Sequence, residues 1–349
     1  MINRPPEVKV MRDVLIEKIF NKMHENEKIF LISADFGAPA LDKLRDKFKD
    51  RFINVGIAEQ NLVNISTGLA LEGFTVYAYA IAPFITMRAY EQIRVNLSLL
   101  SHTREINVNL IGVGGGLSYD VAGPTHHCIE DISIMRVLPN FTVFSPSDWV
   151  LTEKFVDFSI QINKPKYIRL DGKPIPKIYR DDENDTLKME NGFHELLKGN
   201  EVCIVSTGYM THKALSVAKK LNEDGMNIGV IDVFLLKPMD EDLLYNSLRK
   251  YECVITLEEA FINKGGLDCL ISCILSNKES HIKIKRLGFE DRYLFNVGNR
   301  DYLHKLSYLD ENNIIKVIKN ASNSPGWRAR NKSKGAYKKR NSEAHAYRP

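Results

Sequence analysis

The 349-residue sequence predicts an α/β fold of two parallel-sheet domains joined by a charged linker and followed by a basic, disordered tail. Three observations predict it. Short runs rich in branched and aromatic residues alternate with longer amphipathic runs, the pattern of a parallel sheet covered by helices on both faces. The alternation breaks at "GKPIPKIYRDDENDTLKMENG" (172–192), where prolines and charges replace periodicity. It stops for good near Asn320, where the composition turns polar and basic. The boundaries that follow are a first domain at 1–172, a linker at 173–189, a second domain at 190–320 and a tail at 321–349.

In the first domain, "KIFLISAD" (28–35), "RFINVGI" (51–57), "FTVYAYA" (74–80), "INVNLIGVGG" (106–115), "FTVFSPSD" (141–148) and "PKYIRLDG" (165–172) read as strands. The spacing predicts helices over 59–72, 84–101, 128–138 and 149–161. In the second, "EVCIVSTGY", "MNIGVIDVFLLKP", "CVITLEEA" and "IKIKRLGF" read as strands, with helices over 211–224, 240–250, 266–277 and 310–319.

The net charge of +4 misleads. From Asn320 onward the chain carries eight Lys or Arg and one acid, so the remainder is slightly acidic. Such a tail, poor in branched apolar residues, is expected to be solvated or to touch a partner rather than to grip nucleic acid. No apolar run approaches the roughly 18 residues a bilayer span needs, and the first residues lack a signal-peptide core. Five cysteines, an odd number in apolar surroundings, read as reduced, buried thiols of a cytoplasmic protein.

One residue breaks the pattern. In "INVGIAEQNLVNISTGLALEG" (53–73), Glu59 stands where an apolar strand gives way to a helix of small and apolar residues. A carboxylate there is buried or nearly so, and burying a charge is costly unless something pairs with it. No base follows at helical spacing, and the nearest, Arg51, precedes it in the strand.

Together, "NVGIAEQN…TGLALEG", "PFITMRAYEQIR" and "AGPTHHCIEDISIMRVLPNFTVFSPSD" resemble the transketolase and deoxyxylulose-phosphate synthase family, and specifically its pyrimidine-binding domain. Residues 190–320 resemble the family's C-terminal domain. The resemblance covers about nine-tenths of the chain and leaves out the tail. It implies a purpose for Glu59, because in that family the glutamate of the GIAEQ motif contacts the pyrimidine nitrogen of thiamine diphosphate and helps to activate the cofactor. It implies that Phe84 stacks on the aminopyrimidine, that Arg88 and Asp35 contact the cofactor, and that His126 meets the sugar beside the reacting carbon. Arg12 and Arg169 match two arginines that hold the sugar phosphate, a task suited to the guanidinium fork. His127, where the family has Gln, receives no role. Three consecutive side chains cannot face one ion, so His126, His127 and Cys128 are not a metal site. "GVGGG" (112–116) lacks the third glycine and following helix of a dinucleotide loop.

The sequence also departs from the family pattern. Ala122 replaces an Asp that recognises a donor hydroxyl, a phosphate-side histidine is missing in the Gly114 region, and no hydroxyl stands near Ala38. A modified or non-phosphorylated sugar, or a keto acid, is therefore a live substrate class. The family's Gly-Asp-Gly start of the Mg²⁺ site is also missing. The expectation is a split enzyme: this chain supplies Glu59, a separate diphosphate-binding subunit supplies the Mg²⁺ ligands, and two copies of each assemble. The expected reaction is transfer of a two-carbon ketol unit from a ketose-type donor to an aldehyde. The alternatives are the beta subunit of a 2-oxo acid dehydrogenase, synthase-like acyl transfer from pyruvate, and a non-catalytic scaffold partner.

Overall fold

The computed structural model describes residues 7–35, 37–180 and 187–322; most of the predicted tail lies outside them. The first sheet is built from β2 (Ile29–Ser33), β3 (Phe52–Asn54), β4 (Thr75–Ile81), β5 (Val108–Val113), β6 (Thr142–Phe144), β7 (Lys166–Leu170) and β12 (Leu235–Lys237). Its order is β12-β6-β7-β5-β4-β2-β3, parallel throughout except where β12 runs antiparallel to β6. The second sheet has the order β14-β13-β10-β11-β9, from β9 (Phe193–Leu197), β10 (Val202–Ser206), β11 (Ile228–Val233), β13 (Cys253–Phe261) and β14 (Lys283–Phe289). Only its edge strand β9 is antiparallel. A small ribbon pairs β1 (Val8–Val10) with β8 (Pro174–Pro176), which follows the last parallel strand of the first sheet.

The continuous apolar runs become central strands because both of their faces are covered. Every residue of β5, β7, β11 and β13 is buried. Side chains from the two sheets merge into one apolar cluster across the seam, including Val143, Tyr167, Val205, Val233 and Leu236. The strand β12 makes this seam intimate. It follows β11 after a single residue yet pairs with the first sheet, and the Ser145 amide donates to the Phe234 carbonyl at 2.8 Å. So the chain past the linker re-enters the first sheet, which no local pattern announces.

The helix Trp149–Gln161 starts on Asp148, whose Oδ1 accepts the Leu151 amide at 2.9 Å, a cap worth about 1 kcal/mol. Its other oxygen accepts the Ile178 and Tyr179 amides and so ties down the segment after β8. Lys166 is fully buried, its ammonium donating to Asn107 Oδ1, the Ile162 carbonyl and the Lys164 carbonyl. The structure adds elements that the periodicity leaves unassigned, notably the helices Met11–Glu25, Pro39–Lys47 and Arg300–Leu306.

The run expected as one α-helix over 84–101 is instead wound widely. Phe84–Arg88 and Ile93–Leu99 are π-helical around a short α turn, and Leu100–His102 closes as a tight 3₁₀ turn. Such wide turns inside helices recur at functional sites, because they re-aim side chains. The thiols also need a correction. Cys128, Cys203 and Cys253 are buried, but Cys269 is only partly covered and Cys273 is exposed on the outer face of the helix Leu267–Asn277. Among the described residues, no helix is long and apolar enough to cross a membrane.

Candidate active site

At the end of β3 the chain turns through Gly56, whose φ of +76° lies in the left-handed region that a side chain would strain. The turn is held by Asn54, whose side-chain oxygen accepts the Gly56 amide at 3.0 Å. Glu59 then opens the helix Glu59–Leu71 with no side-chain cap before it. Its residue is 3% exposed, and its Oε2 accepts Arg88 Nη1 at 2.5 Å. Arg88 itself is about half exposed. The buried carboxylate is thus neutralised from its open side by a base on the wide-turned helix. Arg51, the nearest base in sequence, is engaged elsewhere, donating to the Met23 and Asn26 carbonyls.

Arg88 and Phe84 lie one turn apart, with the guanidinium carbon 5.0 Å from the ring centre. The Phe84 ring meets the His126 imidazole edge-on, at 5.3 Å between centroids and 67° between planes. Glu59, Arg88, Phe84 and His126 therefore form one contiguous group from three separate segments. Gln60 supports it by donating to the Arg88 carbonyl at 3.3 Å. Asp35 stands at the end of β2 in a left-handed conformation, φ +50°. Its carboxylate accepts Asn54 Nδ2 at 2.9 Å, and its amide donates to Asn54 Oδ1 at 3.1 Å. Asp35 is therefore joined to the same turn that delivers Glu59.

The two arginines sit differently. Arg12, on the first turn of its helix, is mostly covered and pairs with Asp13 at 2.8 Å. Arg169, on β7, is 6% exposed and lies in the seam, donating to Asp131 Oδ2 at 2.7 Å and to the carbonyls of Cys128 and Glu259. The Tyr119 ring fills the space over Gly114, where a Cβ would overlap it. Thus a tyrosine from the following loop closes the space beside Gly114. His127 is buried, and its Nε2–H donates to the Asp120 carbonyl at 3.2 Å.

A second polar group, in the seam, is one that the sequence motifs do not mark. Glu258 and Glu259 are both buried in β13. Glu258 accepts the Leu267 and Asp268 amides at 2.7 and 2.8 Å, and burial pushes its carboxyl up to about 7. Glu259 instead pairs with Arg300 and is held well below the usual carboxylate range: the guanidinium and His304 outweigh the opposing effect of burial. The available signal lay in "CVITLEEA", where two acids interrupt a strand that is otherwise almost wholly apolar.

Two family models match the chain: the transketolase pyrimidine-binding domain over residues 9–175, and the transketolase C-terminal domain over residues 194–314. An apulose-4-phosphate transketolase subunit of Actinobacillus succinogenes is 32% identical, over 87% of this chain and 96% of its own length. A solved split-gene transketolase, described as an inactive beta4 tetramer, superposes with a TM-score of 0.79 at 32% identity, covering 89% of this chain and 98% of that one. Against 1-deoxy-D-xylulose-5-phosphate synthase of Aquifex aeolicus the identity is 30%, over 85% of this chain but 46% of the synthase. The chain therefore spans nearly the whole of one half of a split enzyme and about half of a single-chain relative. With both models matched in order and a relative of this identity along almost its full length, the chain belongs to the transketolase family.

Proposed function

We propose that this chain is the pyrimidine-binding subunit of a two-chain, thiamine-diphosphate-dependent ketol transferase. The observation that carries the proposal is the Glu59–Arg88–Phe84–His126 group: a buried carboxylate, a flat aromatic face and an imidazole, side by side. The donor set fits one end of the cofactor. A carboxyl can meet a ring nitrogen, and Phe84, only partly covered, offers a stacking surface. The diphosphate and Mg²⁺ ligands are expected on a separate subunit, with two copies of each chain. The relative described as an inactive beta4 tetramer supports this division of labour.

Thiamine diphosphate, when bound, supplies a carbon that adds to a ketose carbonyl and stabilises the negative charge left by carbon–carbon cleavage. The work left to this chain is binding, orientation and proton management. Glu59 holds a proton at the pyrimidine nitrogen, in a site dry enough for that proton to stay shared. Arg88 compensates the carboxylate charge when no ligand is there to do so. Phe84 fixes the ring plane, and Asp35 braces the turn that presents Glu59. His126 donates to the sugar oxygen nearest the reacting carbon. Arg12 and Arg169 are the candidates for an anionic end of the sugar, with Tyr119 shortening that end beside Gly114.

The test is reconstitution with the diphosphate-binding subunit of the same cell, followed by native mass spectrometry and a ketose-plus-aldehyde assay. The expected result is a complex of two chain types, with thiamine diphosphate and Mg²⁺, that transfers a two-carbon unit. A stable, cofactor-free homo-oligomer that never takes up a second chain would overturn the proposal.

A further inference from the structure

The segment that carries His126 is a loop anchored at its ends by the buried Leu117 and Cys128, with polar contacts between them. Its base is closed by two reciprocal bonds, the Gly116 amide to the Cys128 carbonyl at 2.8 Å and the Cys128 amide to the Gly116 carbonyl at 2.9 Å. Its tip is open to solvent, with Val121 69% exposed. What fixes the tip is polar, and one of its bonds comes from the other domain. Asp120 Oδ1 accepts the Val121 amide, while Oδ2 accepts the Arg300 backbone amide at 2.6 Å and the Lys173 ammonium. The Asp120 carbonyl takes the His127 Nε2–H, and the Gly123 carbonyl accepts the amides of both His126 and His127.

Arg300 is in turn held rigidly. Its guanidinium forks onto Glu259, Nε to Oε1 at 2.8 Å and Nη2 to Oε2 at 2.5 Å, while Nη1 reaches Asp171 Oδ2 at 2.6 Å. The Tyr209 ring lies flat against it at 3.5 Å, and His304 Nε2 supports Glu259 Oε1 at 2.6 Å. Asp171, just past β7 in the first domain, also accepts the Ser118 hydroxyl of the loop at 2.9 Å. At the loop's far end the Ile129 carbonyl accepts the Phe261 amide of β13 at 3.3 Å. A fully buried ion cluster is a weak device for stability, because desolvation offsets most of its attraction. What it does supply is direction: each guanidinium nitrogen of Arg300 has a fitted acceptor, Glu259 in the second domain or Asp171 in the first, and the backbone amide of Arg300 has Asp120 in the loop.

We propose that Arg300 is a positioning residue for His126, through which the C-terminal domain sets the Gly116–Cys128 loop and hence the substrate geometry. This gives the second domain, which contributes none of the four grouped site residues, a part in the reaction. The inference rests on the reading of His126 as a substrate contact, but its first readout does not depend on activity.

That readout is hydrogen–deuterium exchange of the peptide spanning 117–128, measured on the full chain for wild type, Arg300→Lys and Asp120→Asn. The lysine cannot fork onto Glu259 while reaching Asp171, and the asparagine can turn an amide N–H against the Arg300 N–H. Exchange in this peptide is expected to quicken about tenfold in either variant, with β4, β5 and β7 protected as in wild type. In the reconstituted pair, the donor KM is expected to rise about tenfold with kcat within about twofold, the pattern of a lost contact made equally in the ground and transition states. On a His126→Ala background, Asp120→Asn is expected to add less than about twofold, because the two changes act through one contact. Unchanged exchange at 117–128 in Asp120→Asn, whether or not Arg300→Lys folds, would overturn the inference. So would kinetic penalties for Asp120→Asn and His126→Ala that simply multiply. Should the wild-type pair show no transfer, the proposed function fails by that result, and the exchange comparison still decides whether Arg300 holds the loop.

Discussion

Arg88 Nη1 and Glu59 Oε2 lie 2.5 Å apart although 29 residues of sequence separate them. The acid is buried and the base is half exposed, so the pair has one dry side and one wet side. A cation that faces solvent can move aside at little cost, whereas a buried carboxylate cannot change its surroundings. The pair is therefore suited to a site where an incoming ligand takes over part of the arginine's role.

Glu59→Ala is expected to reduce transfer by the reconstituted pair by about 10³-fold or more, in the range for loss of a proton-handling group. The fold should survive, because the side chain closes no core and its helix keeps its packing face. Steady-state assay alongside circular dichroism checks both halves; near-normal turnover would remove Glu59 from the chemistry.

Arg88→Met leaves the Glu59 carboxylate buried without its partner. The isolated chain is expected to lose about 1 kcal/mol, a modest figure because the arginine is half in water. Adding Glu59→Gln should recover most of the loss, since the stranded charge is gone. A thermal-melt double-mutant cycle measures the coupling; strictly additive effects would mean that the pair does not interact in solution.

Asp232, fully buried, accepts the Ser147 hydroxyl at 2.5 Å, Tyr179 at 2.9 Å and Thr211 at 2.9 Å, and burial pushes its carboxyl up to about 7. Between about pH 4 and 7 the folded chain then binds a proton that the unfolded chain has released, so stability falls as pH rises through this window and levels off above it. The shift corresponds to at most roughly 4 kcal/mol. Asp232→Asn has no such proton to lose. Denaturant melts at about pH 5 and about pH 8 should show the variant gaining on wild type at the higher pH, and a constant difference would refute the assignment.

Lys166→Met removes a buried ammonium from three oxygens at 2.6–2.8 Å. Methionine fills the volume but leaves Asn107 and two carbonyls unpaired, an expected loss of about 2–4 kcal/mol. Burial also drives the Lys166 pKa well below its ordinary value. The unfolded chain therefore holds this proton more tightly at alkaline pH, so wild type gains stability as pH rises toward the ordinary lysine pKa, and the penalty of the variant should be smaller at neutral pH and grow as pH rises. Chemical denaturation at about pH 7 and about pH 9.5 separates the packing loss from the charge.

Features that repeat locally or sit in an unbroken motif were legible in the residues alone. Continuous apolar runs flanked by amphipathic ones specified the parallel sheets, because burial on both faces leaves no room for polar alternation. The anomaly of one acid in "GIAEQ" marked Glu59, and the neighbouring motifs marked Phe84 and His126, which the fold brings into contact. Strand order decided the rest. Glu59 is neutralised by Arg88 rather than Arg51 because β4 lies beside β2 and carries the wide-turned helix over the Glu59 turn. β12 crosses to the first sheet after one residue, and Arg300 reaches Asp120 across 180 positions. Charge pairs and hydrogen bonds act over a few ångströms of space, whatever the distance along the chain, so their partners become known only when the sheets are ordered and docked.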